Sequence, residues 1–305
     1  VLQAQAQSYP QKPIRMVLGY TVGGAADAIA RPLVRALEPI LGQPIVIEAK
    51  PGTAGGVAAE FISKATPDGY TLYLADGGPF TTAPHLTKVG YHHLNSFSHI
   101  GHVCGNGSIL VVHPSSPFKS VADVVAAAKK EPDKWSYGTS GVAGPHHLSG
   151  ELFKSFTGVN LLHVPYKDQG GALTDLMAGR TDAMMTVLFT VQNQIRSGKM
   201  RLVGTLTSER SSTTPSTPTL REQGVPGVSV QVWYALVAPA GLPGAVQSRL
   251  NESINAALQR KDIREVFENQ GLVPAGGSSD RLGEWMRGEL SRWQKVVGSA
   301  GIKAD

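Results

Sequence analysis

Tyr20-Thr21-Val22-Gly23-Gly24-Ala25-Ala26-Asp27 is the stretch on which the reading of this 305-residue chain turns. Before it, 14–19 is a short apolar run with β-branched residues. After it, apolar residues recur at helical spacing from about Asp27 to Leu41. Glycines between a strand and a helix let the backbone turn tightly and come close to a ligand. The N–H groups of a first helical turn have no partner inside the helix and attract negative charge. The segment therefore reads as a strand–loop–helix unit able to hold an anion.

The chain repeats this unit. Residues 44–48 and 70–75 read as strands around a helix at 54–65, which Pro67-Asp68-Gly69 stops. Further strands are predicted at 108–113, 135–139, 161–165, 182–188 and 201–206. Helices are predicted at 120–130, with Ser120 and Asp123 as a capping pair, and at 147–157 and 172–178. Two more small-residue loops precede helices: Thr139-Ser140-Gly141-Val142-Ala143-Gly144 and Lys167-Asp168-Gln169-Gly170-Gly171. Residues 228–239 are extended, and 245–298 is helical in three pieces. Pro32 and Pro39 are expected to kink or end the first helix. The alternation predicts an α/β fold, a parallel sheet with helices on both faces. Crossing points near 108–113 and 229–238 divide it into two domains, 9–105 plus 230–305 and 106–229.

Composition narrows the function. At 41% hydrophobic and 17% charged residues the chain is globular. Its net charge of +5 is spread without a Lys/Arg run, so no nucleic-acid partner is expected. The single cysteine, Cys104, excludes an intrachain disulfide and a multi-cysteine zinc site. Ala4-Gln5-Ala6 has the small-x-small pattern of a secretory cleavage site, so 1–8 is expected to be a signal-peptide remnant and flexible leader. Gly138-Thr139-Ser140-Gly141-Val142 fails as a nucleophile elbow at Val142. Ser140 with His146 or His147 remains as a Ser/His hydrolase alternative. Gly105-Asn106-Gly107 has Leu110 where a dinucleotide fingerprint needs a third glycine. His92-His93 and His146-His147 lack a second ligand cluster, so neither metal nor cofactor is expected.

Taken together, several stretches resemble one family: Tyr9-Pro10-Gln11-Lys12-Pro13-Ile14-Arg15, Gly23-Gly24-Ala25-Ala26-Asp27, Pro67-Asp68-Gly69-Tyr70-Thr71-Leu72, Tyr137-Gly138-Thr139-Ser140-Gly141, His147-Leu148-Ser149-Gly150-Glu151 and His163-Val164-Pro165-Tyr166-Lys167. From Tyr9 to Lys303 the chain is similar to the solute-binding proteins of tripartite tricarboxylate transporters, the Bug or TctC family. The resemblance implies a type II-like periplasmic binding protein with two α/β domains, a ligand cleft between them and two crossing strands. It also implies a periplasmic monomer that captures a small carboxylate by closure and delivers it to membrane permease subunits. A ligand sensor serving a membrane receptor kinase is the alternative.

Carried over residue by residue, the resemblance places the ligand against Tyr20, Thr21, Val22, Gly23, Gly24, Ala26 and Asp27. Gly78 and Phe80 follow from the loop after the third strand, then Thr139, Ser140, Gly141, His147, Tyr166, Lys167 and Phe189. Tyr20, Phe80, Tyr166 and Phe189 are candidate walls for the ligand's carbon skeleton. The strongest anion site is expected at Gly23-Gly24, with Asp27 capping its own helix or accepting from waters and backbone N–H groups. Asp168 stands where the family usually has glycine.

Overall fold

The computed structural model describes residues 9–211 and 213–300; the leader expected at 1–8 lies outside them. β1 (Ile14–Leu18) is followed by α1 (Ala25–Leu41), whose apolar face carries the buried Ile29, Leu33 and Leu37. Contrary to expectation, α1 runs straight through Pro32 and Pro39. Pro32 cannot donate to the preceding turn, but it is buried with its neighbours, and packing of the apolar face outweighs the lost bond. Pro39 is exposed in the last turn, just before Gly42 closes the helix in a left-handed conformation.

β2 (Ile45–Ala49) and, after α2 (Gly56–Ser63), β3 (Thr71–Asp76) flank β1 in parallel, with Arg15 opposite both Val46 and Thr71. β4 (Phe97–Val112) then leads to α3 (Val121–Lys130), where Ser120 and Asp123 form the expected capping box. β5 (Ser136–Thr139), α4 (Pro145–Thr157), β6 (Leu162–Pro165), α5 (Gln169–Met177), β7 (Ala183–Val187), α6 (Leu188–Arg196) and β8 (Arg201–Leu206) follow. β9 (Gln231–Pro239), α7 (Gly244–Gln259), α8 (Lys261–Asn269), β10 (Val273–Pro274) and α9 (Ser279–Ala300) complete the described chain. α4 and α5 each start earlier than the sequence predicts. Pro145 is fit for a first helical position, and the Asp168 carboxylate caps the N–H of Gly171.

The fold is mixed α/β with a curled sheet in the order β2-β1-β3-β9-β4-β7-β5-β6, in which two crossing strands interrupt the parallel pairing that the alternation predicts. β4 and β9 run antiparallel to their neighbours because they carry the chain across the sheet and back. β4 is sixteen residues long, and its strands of contact change along it. Residues 97–107 pair with β9, whereas Ser108–Val112 pairs with β7 on one side and β8 on the other. The crossing expected at 108–113 therefore sits at the far end of a longer strand.

The core is divided in the same way. One cluster joins Ile14, Leu18, Leu33 and Leu72 to Leu250 of α7 and Phe267 of α8. A second joins Leu110, Tyr137, Leu148, Phe153 and Val203. α9 belongs to both halves of the molecule. Its Leu282 and Met286 pack with Phe97 and Trp233, while Trp293 and Val297 enter the second cluster. Arg292 Nη2 also donates to the Ser229 carbonyl at 2.6 Å.

Removing the α9 anchor is expected to weaken the whole fold. Trp293 is only 2% exposed, so Trp293→Ala should cost about 3–5 kcal/mol in urea unfolding. A loss below about 1 kcal/mol would show that α9 does not tie the two clusters together.

Candidate functional site

β1 and β3 run toward the middle of the long β4, and β5 and β6 run toward it from the opposite direction, so their carboxyl ends face one another where α1, α4 and α5 begin. Loops at the carboxyl ends of parallel strands are where open α/β sheets bind ligands. Two adjoining cavities lie among them. The outer one, about 480 Å³, is lined by Thr21 to Ala25 and Ala28, by Asp168, Gln169, Gly170 and Leu173, and by Phe189 and Thr190 at the start of α6. The inner one, about 10 Å³, is lined by Tyr20, Gly24, Ala25, Asp76, Ser140, His146, Asp168, Gln169 and Tyr234. That inner volume is about the room one water needs.

Ala25, His146 and Gln169 each stand in the first turn of a different helix, and all three line the inner cavity. Their N–H groups meet no protein acceptor among the described residues. This corrects the expected centre of the anion site. The Gly23 N–H already donates to Asp27 Oδ2 at 3.0 Å, and the Gly24 N–H closes a turn onto the Thr21 carbonyl at 3.3 Å. The donors left open by α1 begin one residue later, at Ala25. Gly23, with φ at 86°, is the position that requires glycine; Gly24 has an ordinary φ of −84°.

Side-chain bonds tie the halves together across the cleft. Thr21 Oγ1 donates to Asp168 Oδ2 at 2.7 Å, and Thr82 Oγ1 donates to the Ala143 carbonyl at 2.6 Å. Burial pushes the Asp168 carboxyl up, but the Thr21 hydroxyl and the N–H groups of Gly171 and Gly170 outweigh it and hold it below the usual carboxylate range. Asp76 is the opposite case. Burial raises its carboxyl to about 6, against the stabilising bonds from the Tyr20 hydroxyl at 2.6 Å and the Gly78 N–H at 3.0 Å. His146, beside Ser108 Oγ at 3.3 Å, is pushed down to about 4 by burial and stays neutral at physiological pH.

Of the residues expected from sequence, the structure gathers Tyr20, Thr21, Val22, Gly23, Gly24, Ser140 and Phe189 on the two cavities. It places the others elsewhere. Phe80 is fully buried and meets Phe97 edge-on at 4.9 Å, so it is a core residue rather than a cleft wall. Ala26 is in the core beneath α1, and Asp27 turns back onto Gly23 and onto Arg31 at 2.8 Å. Gly78 serves Asp76. Thr139 Oγ1 bonds the Gly141 carbonyl and His163, and the ring of His147 stacks on His163 at 4.2 Å while accepting the Ala143 N–H. Gly141, at a φ of 114°, turns the loop after β5. The Tyr166 hydroxyl donates to Asp175, and Lys167 is exposed.

His146, Asp168, Gln169 and Tyr234 line the inner cavity without having been singled out as ligand contacts, and Asp76 joins them from the end of β3. Asp168 and Gln169 lie inside the third small-residue loop, so the signal was there. Tyr234 stands on a crossing strand, where sequence reads only apolar character. Ser140 Oγ accepts from Gln169 Nε2 at 3.4 Å, and the two nearby histidine Nδ1 atoms face Ser108 and the Ala143 N–H; the nucleophile–base pair of the hydrolase alternative is not assembled. A larger depression of about 650 Å³ follows the crossing segments at Asn106, Gly107 and 229–231, but none of its lining residues opens a helix.

With this geometry in place, comparison with known proteins is specific. Residues 29–302 match the family described as the tripartite tricarboxylate transporter family receptor. Among solved structures, the periplasmic binding protein BugD is 31% identical, with a TM-score of 0.92 over 97% of this chain and 99% of that one. An R. palustris protein solved with adipate is 31% identical, with a TM-score of 0.94 over 97% and 99%. MatC from Rhodopseudomonas palustris, solved with bound malate, is 28% identical, with a TM-score of 0.91 over 95% and 100%.

Asp76 gives the site a pH signature. Its folded-state value lies above the ordinary 3.8, so its burial favours the protonated form. The associated stability is complete below about 3.8 and is lost as pH rises through about 6. Above that, the buried charge costs up to about 3 kcal/mol. Asp76→Asn is therefore expected to unfold at the same urea concentration as the wild type at pH 4 and at a higher one at pH 8. An offset between the two proteins that does not change with pH would contradict this account.

Proposed function

The chain belongs to the tripartite tricarboxylate transporter receptor family, and from that premise we propose that it binds a small carboxylate in the cleft between two domains and delivers it to the permease subunits of a membrane transporter. It is a solute-binding protein, not an enzyme. The reading assigns 9–105 with 230–305 to one domain and 106–229 to the other, with α9 reaching across. It also takes the protein to be an exported, periplasmic monomer.

The observation that carries this reading is the meeting of α1, α4 and α5, by their N-terminal turns, at one cavity. Each helix end stabilises a negative group by about 0.3–1 kcal/mol, and up to about 2 kcal/mol where water is partly excluded. Three together are a carboxylate site that needs no arginine. The outer cavity is within the size range of small-molecule sites, and the inner one has room for a bridging water between the helix ends and a carboxylate. Adipate and malate in two relatives support the ligand class. The Thr21–Asp168 and Thr82–Ala143 bonds cross the cleft, so a ligand enters by breaking them and leaves them formed behind it.

Calorimetry with adipate, malate and the corresponding diamides tests the reading. The acids are expected to bind and the diamides to bind at least tenfold more weakly. Gly24 lines both cavities, and a side chain there starts 3.3 Å from the Thr21 carbonyl without backbone strain. Gly24→Val should therefore fold normally and lose at least tenfold in affinity, about 1.4 kcal/mol. Equal affinity for acid and diamide would rule out the helix-end carboxylate site.

A further inference from the structure

Gly105-Asn106-Gly107, which fails as a dinucleotide fingerprint, stands where β4 exchanges β9 for β7 and β8. We infer that the depression beside it is a second ligand site, built for a small neutral polyol and independent of the carboxylate reading. The depression, about 650 Å³, spans both halves of the molecule. Its Leu206 and Val230 belong to the second core cluster and its Leu272 to the first. A recess of about 20 Å³ adjoins it and shares Asn106, Gly107 and Thr207 with it. Neither has a lining residue in common with the two cleft cavities.

Asn106 lines both the depression and the recess and is only 6% exposed. Its Nδ2 and Oδ1 are both buried without a hydrogen-bond partner among the described residues. A buried donor and a buried acceptor left unmet each cost stability until a partner is supplied. The recess has about the room one water needs. A ligand group that enters it must reproduce the hydrogen bonds of a water, giving to Oδ1 or taking from Nδ2. An ammonium group only donates and a carboxylate only accepts. A carboxamide does both, but through two heavy atoms held on a third. A hydroxyl is the size of a water, and it both donates and accepts. Two hydroxyls on neighbouring carbons answer both atoms of the amide, one from the recess and one from the depression.

The rim points the same way. Arg210 is paired with Glu222 at 2.9 Å. Arg264 and Glu268 stand one turn apart on α8, opposite in sign and without an ion-pair partner among the described residues. Their charges balance, so the rim favours a ligand without net charge. With the exposed Ser208 and Gln231 they offer donors and acceptors to further hydroxyls. None of the described residues lining the depression is aromatic, so a flat ring finds nothing to stack on.

The test is a set of nitrogen-15 correlation spectra of the full chain titrated with glycerol, mannitol, glucose and myo-inositol, with betaine as a control that has no hydroxyl. At least one polyol is expected to give saturable shifts of the Asn106 side-chain amide and of the Gly107 and Thr207 backbone amides. Betaine is expected to give none. Asn106→Leu removes both polar atoms at similar size, so it should unfold at the same or a higher urea concentration and bind that polyol about tenfold more weakly or worse. Arg264→Ala, at an exposed position of α8, should keep the fold and also weaken the polyol. Shifts that fail to saturate with every polyol, or equal shifts with betaine, overturn the inference. Undiminished binding to Asn106→Leu also overturns it; should that variant not fold, undiminished binding to Arg264→Ala does so.

Discussion

An α-helix cannot pair the N–H groups of its own first turn, and in this protein three helices leave that debt at the same place. α1, α4 and α5 come from different parts of the chain, yet Ala25, His146 and Gln169 face one small cavity. The arrangement follows from the strands, since β1 on one side and β5 and β6 on the other run toward each other, and α1, α4 and α5 follow them where their carboxyl ends face. It also explains why the cavity can lack basic side chains and still favour an anion. Fixed backbone donors need no long, flexible side chain to be ordered, so recognition carries little entropic cost.

What holds those helix ends in register is the crossing system. β4 is shared, pairing first with β9 and then with β7 and β8, so its residues around Gly107 and Ser108 join the two halves. α9 joins them as well, packing Met286 on one side and Trp293 on the other. The cleft itself is closed by few bonds, Thr21 to Asp168 and Thr82 to Ala143. A strong scaffold with weak closure is what a protein that must both capture and release a solute requires.

Much of this was legible in the sequence, for local reasons. The three small-residue loops, the Ser120–Asp123 cap and the strand–helix alternation all depend on near neighbours in the chain. The first part of β4 did not show itself because Gly101, Gly105 and Gly107 depress strand propensity. In the fold those glycines admit close neighbours: a Cβ on Gly107 would stand 1.9 Å from Thr207. Pro32 misled because burial outweighs a local rule. The open donors of α1 start at Ala25 rather than at Gly23-Gly24, because the Asp27 carboxylate, which the sequence leaves several partners, takes the Gly23 N–H four residues back. Phe80 was drawn into the core by Phe97, seventeen positions away, a pairing no local pattern announces.

The claim that three helix ends form the binding site can be tested most directly by amide chemical shifts. Nitrogen-15 correlation spectra recorded while adipate or malate is titrated to saturation should show their largest changes at the amides of Ala25, His146 and Gln169. Changes confined to the crossing segments around Asn106, Thr207 and Arg264, with those three amides unmoved, would contradict the account.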